Sequence, residues 1–353
     1  MAVKKRKRFD RVLAVDLGNG MVKIRSKNLE TEMEYVVNLP TAWAYKRDAS
    51  SSLHTKQLDL DTYEVDDVEY VWGKDIAEVP NIKIAYGHEN RYKTEAYKIM
   101  VKIALAKAVH ELKIEPTESI YLVTGVPSEE TGTVKEDEIV EAFMGENNGI
   151  HEVGVNESEH MFKIAHVEVL SQPVATVLGR YLDEEGYEAD AEYASMKVAV
   201  IDIGGGTTDL DVVDGLQRMR GYVSIPKGFR DVYDYIKQEI KEQYPSHNVH
   251  DYKLFKSLKS KRYKPSKRFE EVDFDDAMEK GINDVAIEIQ QAIMNSWKDL
   301  TDIDEVLLIG ASAKLFQDKL AKVITGMTIP ANHDISNVEG YYRWGMNKVG
   351  DEL

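Results

Sequence analysis

The chain contains two stretches in which a short apolar run is followed by an aspartate, a glycine-rich turn and a run of alternating character. The first, residues 12–24, reads VLAVDLGNGMVKI, and the second, residues 198–213, reads VAVIDIGGGTTDLDVV. Short runs rich in β-branched residues are typical of buried strands, and alternation after a tight turn is typical of the returning arm of a hairpin. We therefore predict two strand–turn–strand units in two related halves of the protein.

The glycine-rich turns have a composition suited to binding phosphate. Gly18, Gly20 and Gly204–Gly206 lack Cβ atoms, so the backbone can adopt positive φ and bring N–H groups against an anion. Asp16 and Asp202 end the first strands and are suited to hold the waters of a hydrated Mg²⁺. The alternative for either copy alone is an ordinary hairpin with a capping aspartate.

These two loops resemble the phosphate loops of the actin/Hsp70/hexokinase ATPase superfamily, in the forms DLGNGMVK and DIGGGTTD. Further resemblances follow in the order that this superfamily requires. Residues 171–175 and the helical pattern after them resemble the first connecting helix, and residues 226–232 resemble a helix start of actins. Residues 307–313 resemble the adenosine loop, and residues 337–341 resemble the second connection. The resemblance spans nearly the whole chain.

The resemblance implies an α/β protein with the actin-like ATPase fold, in which two duplicated RNase H-like domains each carry a small inserted subdomain. The first domain would comprise residues 1–172 and 336–353, with its small subdomain at about 35–73. The second domain would comprise residues 173–335, with its small subdomain at about 237–280. A chain of 353 residues can hold two such domains but no third, which favours a plasmid-segregation actin of the ParM type over chaperones and sugar kinases.

The resemblance also implies a nucleotide site with Mg²⁺. The two loops would hold the β- and γ-phosphates from opposite domains, with Lys23 adding a positive charge, although a solvated strand lysine is the alternative. Gln172 would orient the attacking water, and it has no titratable proton, so slow hydrolysis is expected. The predicted nucleotide-binding residues are Asp16, Leu17, Gly18, Asn19, Gly20, Lys23, Gly204, Gly205, Gly206, Thr207, Thr208, Gly310, Ala311 and Ser312, and the predicted catalytic residues are Gln172, Asp202 and Asp209.

Some of these roles have open alternatives. Thr207 and Thr208 either donate hydroxyls to the γ-phosphate or simply suit the hairpin, and Asp209 either orients the water or caps the turn. The adenosine loop reads Gly-Ala-Ser-Ala, whereas the superfamily motif often has two or three glycines. ATP is therefore the first choice of nucleotide, and GTP stays open.

Composition and charge narrow the class of partner. The chain has no cysteine, which excludes disulfide and thiol chemistry. A net charge of −17 disfavours non-specific binding of nucleic acid over the whole surface, so no direct sequence-specific contact with DNA is expected. The basic residues 4–8 are predicted to be a soluble tail, and no apolar run reaches membrane-spanning length, so we expect a cytoplasmic protein without membrane contact.

The acidity is unevenly distributed. Residues 253–268, KLFKSLKSKRYKPSKR, contain eight basic residues and no acid. Such a run is usually a solvated helix and loop. The alternative, which rests on the resemblance, places it in the second small subdomain near the nucleotide and at filament contacts, without indicating which lysine is involved.

Two functional classes fit these observations. In the first, ATP binding favours self-association into filaments, hydrolysis destabilises them, and a DNA-binding adaptor on a plasmid centromere captures filament ends to segregate plasmids. In the second, the chain is a non-polymerising ATPase that resembles chaperones or kinases. An MreB-like or archaeal actin-like cytoskeletal protein is a further alternative. The first class is favoured because no sugar-binding insertion or substrate domain is visible.

Overall fold

The computed structural model describes residues 8–28, 30–50, 58–87, 90–297 and 299–350. The chain divides into two compact units, the first formed by Met1–Met196, Val213–Arg218 and Ile335–Leu353 and the second by Lys197–Val212 and Met219–Asp334. Two regions singled out above lie at least partly outside the described residues: the basic tail, except for Arg8, and residues 51–57 of the predicted first small subdomain. No described helix has the length and apolar character needed to cross a bilayer.

The described chain contains both strands and helices. The elements up to the first connecting segment are β1 (Arg11–Leu17), β2 (Met21–Lys27), β3 (Glu34–Pro40), β4 (Ala42–Tyr45), α1 (Lys46–Ser50), β5 (Asp61–Val65), β6 (Val68–Trp72), β7 (Lys83–Ile84), α2 (Glu95–Leu112), β8 (Ser119–Val126), α3 (Val134–Met144), β9 (Ile150–Val155), β10 (Ser158–Ser171) and α4 (Gln172–Tyr181). The later elements are β11 (Lys197–Ile203), β12 (Thr208–Asp214), β13 (Gln217–Arg218), β14 (Val223–Ile225), α5 (Phe229–Gln243), α6 (Asp251–Ser257), β15 (Arg262–Tyr263), β16 (Val272–Asp273), α7 (Asp275–Ser296), β17 (Glu305–Ile309), α8 (Ala313–Leu320), β18 (Met327–Thr328) and α9 (Ser336–Val349).

Several of these elements were predicted from the local pattern. The two hairpins appear as β1–β2 and β11–β12. Helix α2 begins after the N-cap Thr94, whose side chain accepts a hydrogen bond from the Tyr97 N–H. Helix α4 begins where the first connecting helix was expected. These predictions are confirmed.

The sheet of the first unit is arranged around three parallel strands. Its strand order is β3-β2-β1-β8-β10-β9-β5-β6-β4-β7, in which β1 pairs with β8 and β8 with β10 in parallel. Because the carboxyl ends of parallel strands lie at one edge of a sheet, the loop after β1 and the start of α4 leave from that same edge.

The core of the first unit has two layers, one on each face of this sheet. Leu13 and Val15 of β1 pack with α2, whereas Val12 and Ala14 face the opposite side with α9. Alternate side chains of a strand point to opposite faces, and all seven residues of β1 are buried, as expected for a central strand covered by helices on both sides. Helix α9, which follows the second unit along the chain, therefore completes the core of the first unit.

Helices α4 and α9 approach each other unusually closely. A Cβ atom added to Gly340 would lie 1.7 Å from the Ala175 carbonyl oxygen, and one added to Gly179 would lie 3.3 Å from the Gly340 nitrogen. Thr176 Oγ1 donates to Asn337 Oδ1 at 2.7 Å across the same contact. Residues 173–196, which the sequence analysis assigned to the second domain, consequently pack within the first compact unit. The predicted domain and subdomain boundaries stay a prediction.

The second unit is built around the strands β11, β17 and β18. Its strands have the order β12-β11-β17-β18, with β14 on β12, and β11, β17 and β18 are parallel neighbours. Its core contains residues of β11 and β17 packed against the helices α5, α7 and α8. The loops after β11 and β17 leave from one edge of this sheet, because the two strands run in parallel.

We expect Gly340→Ala to lower the free energy of unfolding by about 3 kcal/mol, because the added methyl group would overlap a backbone carbonyl and force α4 and α9 apart. Gly350→Ala is the control, since a Cβ there meets no atom closer than 3.4 Å, and it should change stability by no more than about 0.5 kcal/mol. Urea denaturation followed by circular dichroism measures both variants. Equal stability of the two would contradict the close helix crossing.

Candidate functional site

The loop between β1 and β2 in the first unit is held by hydrogen bonds at both ends. The Gly18 N–H donates to the Met21 carbonyl oxygen at 3.2 Å, which closes the turn. Thr41, between β3 and β4, donates from Oγ1 to the Gly18 carbonyl oxygen at 2.9 Å and from its N–H to the Gly20 carbonyl oxygen at 3.0 Å. The loop therefore has a fixed backbone.

Gly18 is needed for space and not for an unusual backbone angle, whereas a Cβ on Gly20 would meet no atom within 4 Å. Neither Gly18 nor Gly20 lies in the left-handed region, and the same holds for Gly204 and Gly206 of the second loop. These four glycines therefore do not use the positive φ that glycine allows. A Cβ on Gly18 would lie 3.2 Å from the Met21 carbonyl oxygen, which is tighter than ordinary contact.

Asp16 and Lys23 face each other across the hairpin. The two residues are register partners, and Lys23 Nζ lies 3.2 Å from Asp16 Oδ2. The Lys23 side chain is only 15% exposed, so it is not the solvated strand lysine that was the alternative. The structure thus places the predicted positive charge next to the predicted magnesium carboxylate.

Arg91 supports the first loop, and sequence reasoning missed it. Its Nη1 donates to Asn19 Oδ1 at 2.9 Å, and its Nη2 donates to Tyr92 Oη at 2.7 Å and to Glu130 Oε2 at 3.4 Å. Burial alone would lower the pKa of Arg91, but Tyr92 and Glu130 outweigh it, and the pKa is raised. No local motif marks Arg91, since its contact with Asn19 spans 72 positions of the chain.

A polar cleft of about 620 Å³ adjoins this arginine within the first unit. It is lined by Asn19, Gly87, Arg91, Glu129, Glu130, Thr133, Val134 and Lys135. Because acidic and basic side chains both line it, the cleft does not have the uniform charge of a simple anion site.

Gln172 occupies the first turn of α4, directly after β10. This position lies at the same sheet edge as the first loop, since β1, β8 and β10 are parallel. The preceding Ser171 Oγ is buried and has no hydrogen-bond partner in the described part of the chain. A buried hydroxyl without a partner is costly in a folded protein unless a water or ligand satisfies it, so this edge is suited to bind one.

The second loop, between β11 and β12, is closed by a hydrogen bond from the Gly204 N–H to the Thr207 carbonyl oxygen at 2.9 Å. Thr207 Oγ1 donates to Asp209 Oδ2 at 3.4 Å. Thr208 is fully buried, and its Oγ1 donates to the Lys227 carbonyl oxygen at 2.8 Å. The Thr208 hydroxyl therefore serves the hairpin, which was the alternative to a contact with phosphate.

The start of α5 holds this second loop in place. The N–H groups of Phe229 and Arg230 donate to the carbonyl oxygens of Gly204 and Gly205 at 3.1 and 2.7 Å. A Cβ on Gly228 would lie 2.6 Å from the Gly204 carbonyl oxygen, so this contact requires glycine. The helix start that resembles those of actins thus has a direct structural role at the loop.

Gly310 packs directly on the end of β11. Its φ is +100°, and a Cβ there would lie 2.2 Å from the Ile203 carbonyl oxygen and 3.1 Å from Asp202 Oδ1. Ser312 Oγ donates to the Ile203 carbonyl oxygen at 3.3 Å, and the Gly310 N–H donates to the His333 carbonyl oxygen at 2.8 Å. The predicted adenosine loop and the predicted magnesium ligand of the second unit are therefore neighbours.

The predicted residues thus gather in two groups, one in each unit. The first group comprises Asp16, Leu17, Gly18, Asn19, Gly20 and Lys23, with Gln172 at the same sheet edge. The second comprises Asp202, Gly204, Gly205, Gly206, Thr207, Thr208, Asp209, Gly310, Ala311 and Ser312. Their assignment to a nucleotide stays a prediction.

The sequence matches two family models. Residues 14–174 match the N-terminal domain of actin-like proteins, and residues 200–322 match the C-terminal domain of the MreB-like archaeal actin homologue. The chain is an actin-like protein. No curated protein sequence matches it. The family predicted from the sequence motifs is confirmed.

Solved structures with the same fold cover nearly all of the actin-like chain. The apo ParM protein of psk41 is 20% identical, with a TM-score of 0.72 over 97% of this chain and 98% of that one. The archaeal actin homolog Ta0583 in complex with ADP is 18% identical, with a TM-score of 0.72 over 97% and 99%. A 15-stranded ParM filament from Clostridium botulinum is 14% identical, with a TM-score of 0.71 over 96% and 99%. The predicted actin-like fold is confirmed.

We expect Gly310→Ala to destabilise the actin-like chain by at least about 2 kcal/mol more than Gly326→Ala, because its Cβ would overlap the Ile203 carbonyl oxygen. Both glycines have positive φ, at +100° and +74°, but a Cβ on Gly326 meets no atom within 4 Å. Comparison with this control therefore separates the cost of positive φ, which both variants carry, from the cost of the steric overlap, which only Gly310→Ala carries. Thermal denaturation of both variants provides the comparison, and similar losses would show that the contact with β11 is unimportant.

Proposed function

We propose that this actin-like chain binds and hydrolyses ATP and that the bound nucleotide controls its assembly into filaments. The observation that carries the proposal is the duplicated hairpin, which places Asp16 in one unit and Asp202 in the other directly before a fixed glycine-rich loop. In open α/β sheets, ligands bind outside the carboxyl ends of the parallel strands, where both loops lie. The similar archaeal structure in complex with ADP supports this proposal.

Phosphate binding rests on the loop backbone and on Lys23. N–H groups of residues 17–20 and 204–208 would donate to the β- and γ-phosphates. An ammonium group has three donors, so Lys23 can contact Asp16, 3.2 Å away, and a phosphate oxygen at the same time. The ion pair keeps the lysine close to the loop.

The carboxylates suit a hydrated Mg²⁺. Among the described residues, no group of three or more His, Cys, Asp or Glu side chains is arranged to hold a metal ion directly. Mg²⁺ typically keeps several waters and takes one or two carboxylates together with substrate phosphates. Asp16 and Asp202 would hold its waters, and the ion would neutralise charge on the phosphates.

Gln172 would orient the attacking water. Its amide is neutral, so it can position a water but cannot accept a proton from it as a general base. We therefore expect slow hydrolysis. The unpartnered Ser171 Oγ beside it is consistent with a water at this edge. For Asp209, the contact with Thr207 Oγ1 at 3.4 Å supports the capping role over a direct role with water.

The base would lie against the loop that contains Gly310, Ala311 and Ser312. Ala311 is exposed, and Gly310 brings the backbone close to Asp202, so small residues leave room for the ring and ribose. We propose ATP as the nucleotide. Competition between ATP and GTP for a fluorescent ATP analogue distinguishes the two.

The biological role that we propose is plasmid segregation by dynamic filaments, with a DNA-bound adaptor at the plasmid centromere as partner. One of the similar structures is itself a ParM filament. A second role, as a cytoskeletal actin without a plasmid, is favoured by the match of residues 200–322 to the archaeal homologue. Loss of a plasmid after deletion of the chain's gene would support the first role.

We expect the wild-type chain to sediment with ATP and Mg²⁺ and to remain in the supernatant without nucleotide.

Asp202→Ala should reduce phosphate release by about 100-fold or more while leaving the fold intact, because the charge that orders the metal waters is lost. Asp214→Ala, an exposed residue at the end of β12, is the control. Unchanged turnover in Asp202→Ala would remove this residue from the site.

We expect Gln172→Ala to slow hydrolysis about tenfold and to prolong filament lifetime, because the attacking water is less well oriented. Phosphate release measured together with light scattering follows both effects. Gln317→Ala, on the exposed side of α8, is the matched control and should behave as wild type. Faster filament decay in Gln172→Ala would contradict the assigned role.

A further inference from the structure

A surface of the second unit around α6 and β15 carries an excess of positive charge. We call residues 253–268 the basic surface, since they include eight basic residues and no acid. Lys261 and Arg262 have acidic neighbours, among them Asp275 and Asp273. Four exposed basic residues form no ion pair within the described ranges, and these are Lys259, Lys264, Lys267 and Arg268. The charge of this surface is therefore not balanced locally.

Apolar rings lie beside these charges. Phe255 is 51% exposed and Phe269 is 45% exposed, and the Phe269 ring contacts Tyr244 edge-on with ring centres 5.1 Å apart. Aromatic and arginine side chains are enriched in protein interfaces. The surface therefore has the composition of a contact site.

The first unit presents a segment of opposite charge between α4 and β11. We call residues 183–192 the acidic loop, since they include six acidic residues and no base. Glu185 and Glu192 are exposed and form no ion pair within the described part of the chain. Tyr187, close to the tip of the loop, is 61% exposed.

The acidic loop has a fixed conformation. The Asp183 N–H donates to the Tyr187 carbonyl oxygen at 2.8 Å, which closes the loop. Asn347 Nδ2 of α9 donates to the Gly186 carbonyl oxygen at 2.9 Å and holds it against the first unit. Because the loop is already ordered, binding through it would cost little conformational entropy.

We propose that the basic surface of one copy of this chain binds the acidic loop of a second copy. This contact rests on the proposed filament function and deepens it by naming the two surfaces. The two surfaces have complementary charge, since lysines without an ion pair on one would meet glutamates without an ion pair on the other. Exposed aromatic side chains lie on both surfaces. A second copy is favoured over nucleic acid, because the chain itself carries the ordered acidic loop that complements the basic surface.

A contact between two different surfaces allows further copies to add at both ends. The two surfaces differ, so each bound pair of copies retains one free basic surface and one free acidic loop. Heterologous contacts of this kind produce open chains when the rotation between copies does not close a ring. The contact should also weaken as salt rises, because the exposed charges are screened within about 8–10 Å at moderate ionic strength.

A charge exchange between two variants tests the contact. One variant carries Lys264→Glu and Lys267→Glu, and the other carries Glu185→Lys and Glu192→Lys. Each alone places like charges at the contact, so we expect its critical concentration with ATP and Mg²⁺ to rise about tenfold or more. An equimolar mixture pairs opposite charges at every junction and should return to within about twofold of wild type.

A control variant separates this effect from a change in net charge. Lys98→Glu with Lys163→Glu reverses two exposed lysines of the first unit and should assemble as wild type. Circular dichroism and binding of a fluorescent ATP analogue show that each variant is folded. Sedimentation across a range of protein concentrations gives the critical concentration.

The outcomes distinguish this contact from the filament function. A wild-type chain that stays monomeric in every nucleotide state overturns the filament function and the contact with it. Assembly by wild type and by both charge variants at the same critical concentration overturns the contact and leaves the filament function standing. If Lys264→Glu with Lys267→Glu loses binding to a labelled DNA duplex but assembles normally, the basic surface binds nucleic acid and the self-contact is wrong.

Discussion

The close crossing of α4 and α9 is the constraint on which the first unit depends. Gly340 lies against the Ala175 carbonyl oxygen, where any side chain would separate the helices. The same crossing positions Gln172 at the start of α4. A buried ion pair adds to it, since Arg25 Nε of the first hairpin donates to Glu339 Oε1 of α9 at 3.1 Å. Burial raises the pKa of Glu339 although Arg25 opposes it, so the hairpin and the helix are coupled through a desolvated charge.

The two glycine-rich loops share a sequence pattern but are fixed by different means. The first is held by backbone bonds and also by side chains, with Thr41 Oγ1 on the Gly18 carbonyl oxygen and Arg91 on Asn19. The second is held by backbone groups, with the N–H groups at the start of α5 on the carbonyls of Gly204 and Gly205. A side-chain support can change its rotamer, whereas a helix terminus moves only with its helix. The first loop is therefore the one that single substitutions can loosen most selectively.

Sequence reasoning succeeded where the determinants are local. The two hairpins and the start of α4 follow from patterns of a few neighbouring residues. It failed where distant contacts decide. Arg91 reaches Asn19 across 72 positions, and the choice between the two roles left open for Thr208 depends on the Lys227 carbonyl oxygen, to which its hydroxyl donates. No local pattern reports these partners, because each depends on how separate segments pack.

The return of α9 to the first unit has a consequence for how the chain folds during synthesis. Val12 and Val123 on the central strands are covered by α9, which follows the second unit along the chain. Until α9 is made, this apolar face of the first sheet is only partly covered, and all of the second unit is synthesised in the meantime. Such a face is prone to aggregation, so the nascent chain needs either fast completion or a chaperone that shields this sheet.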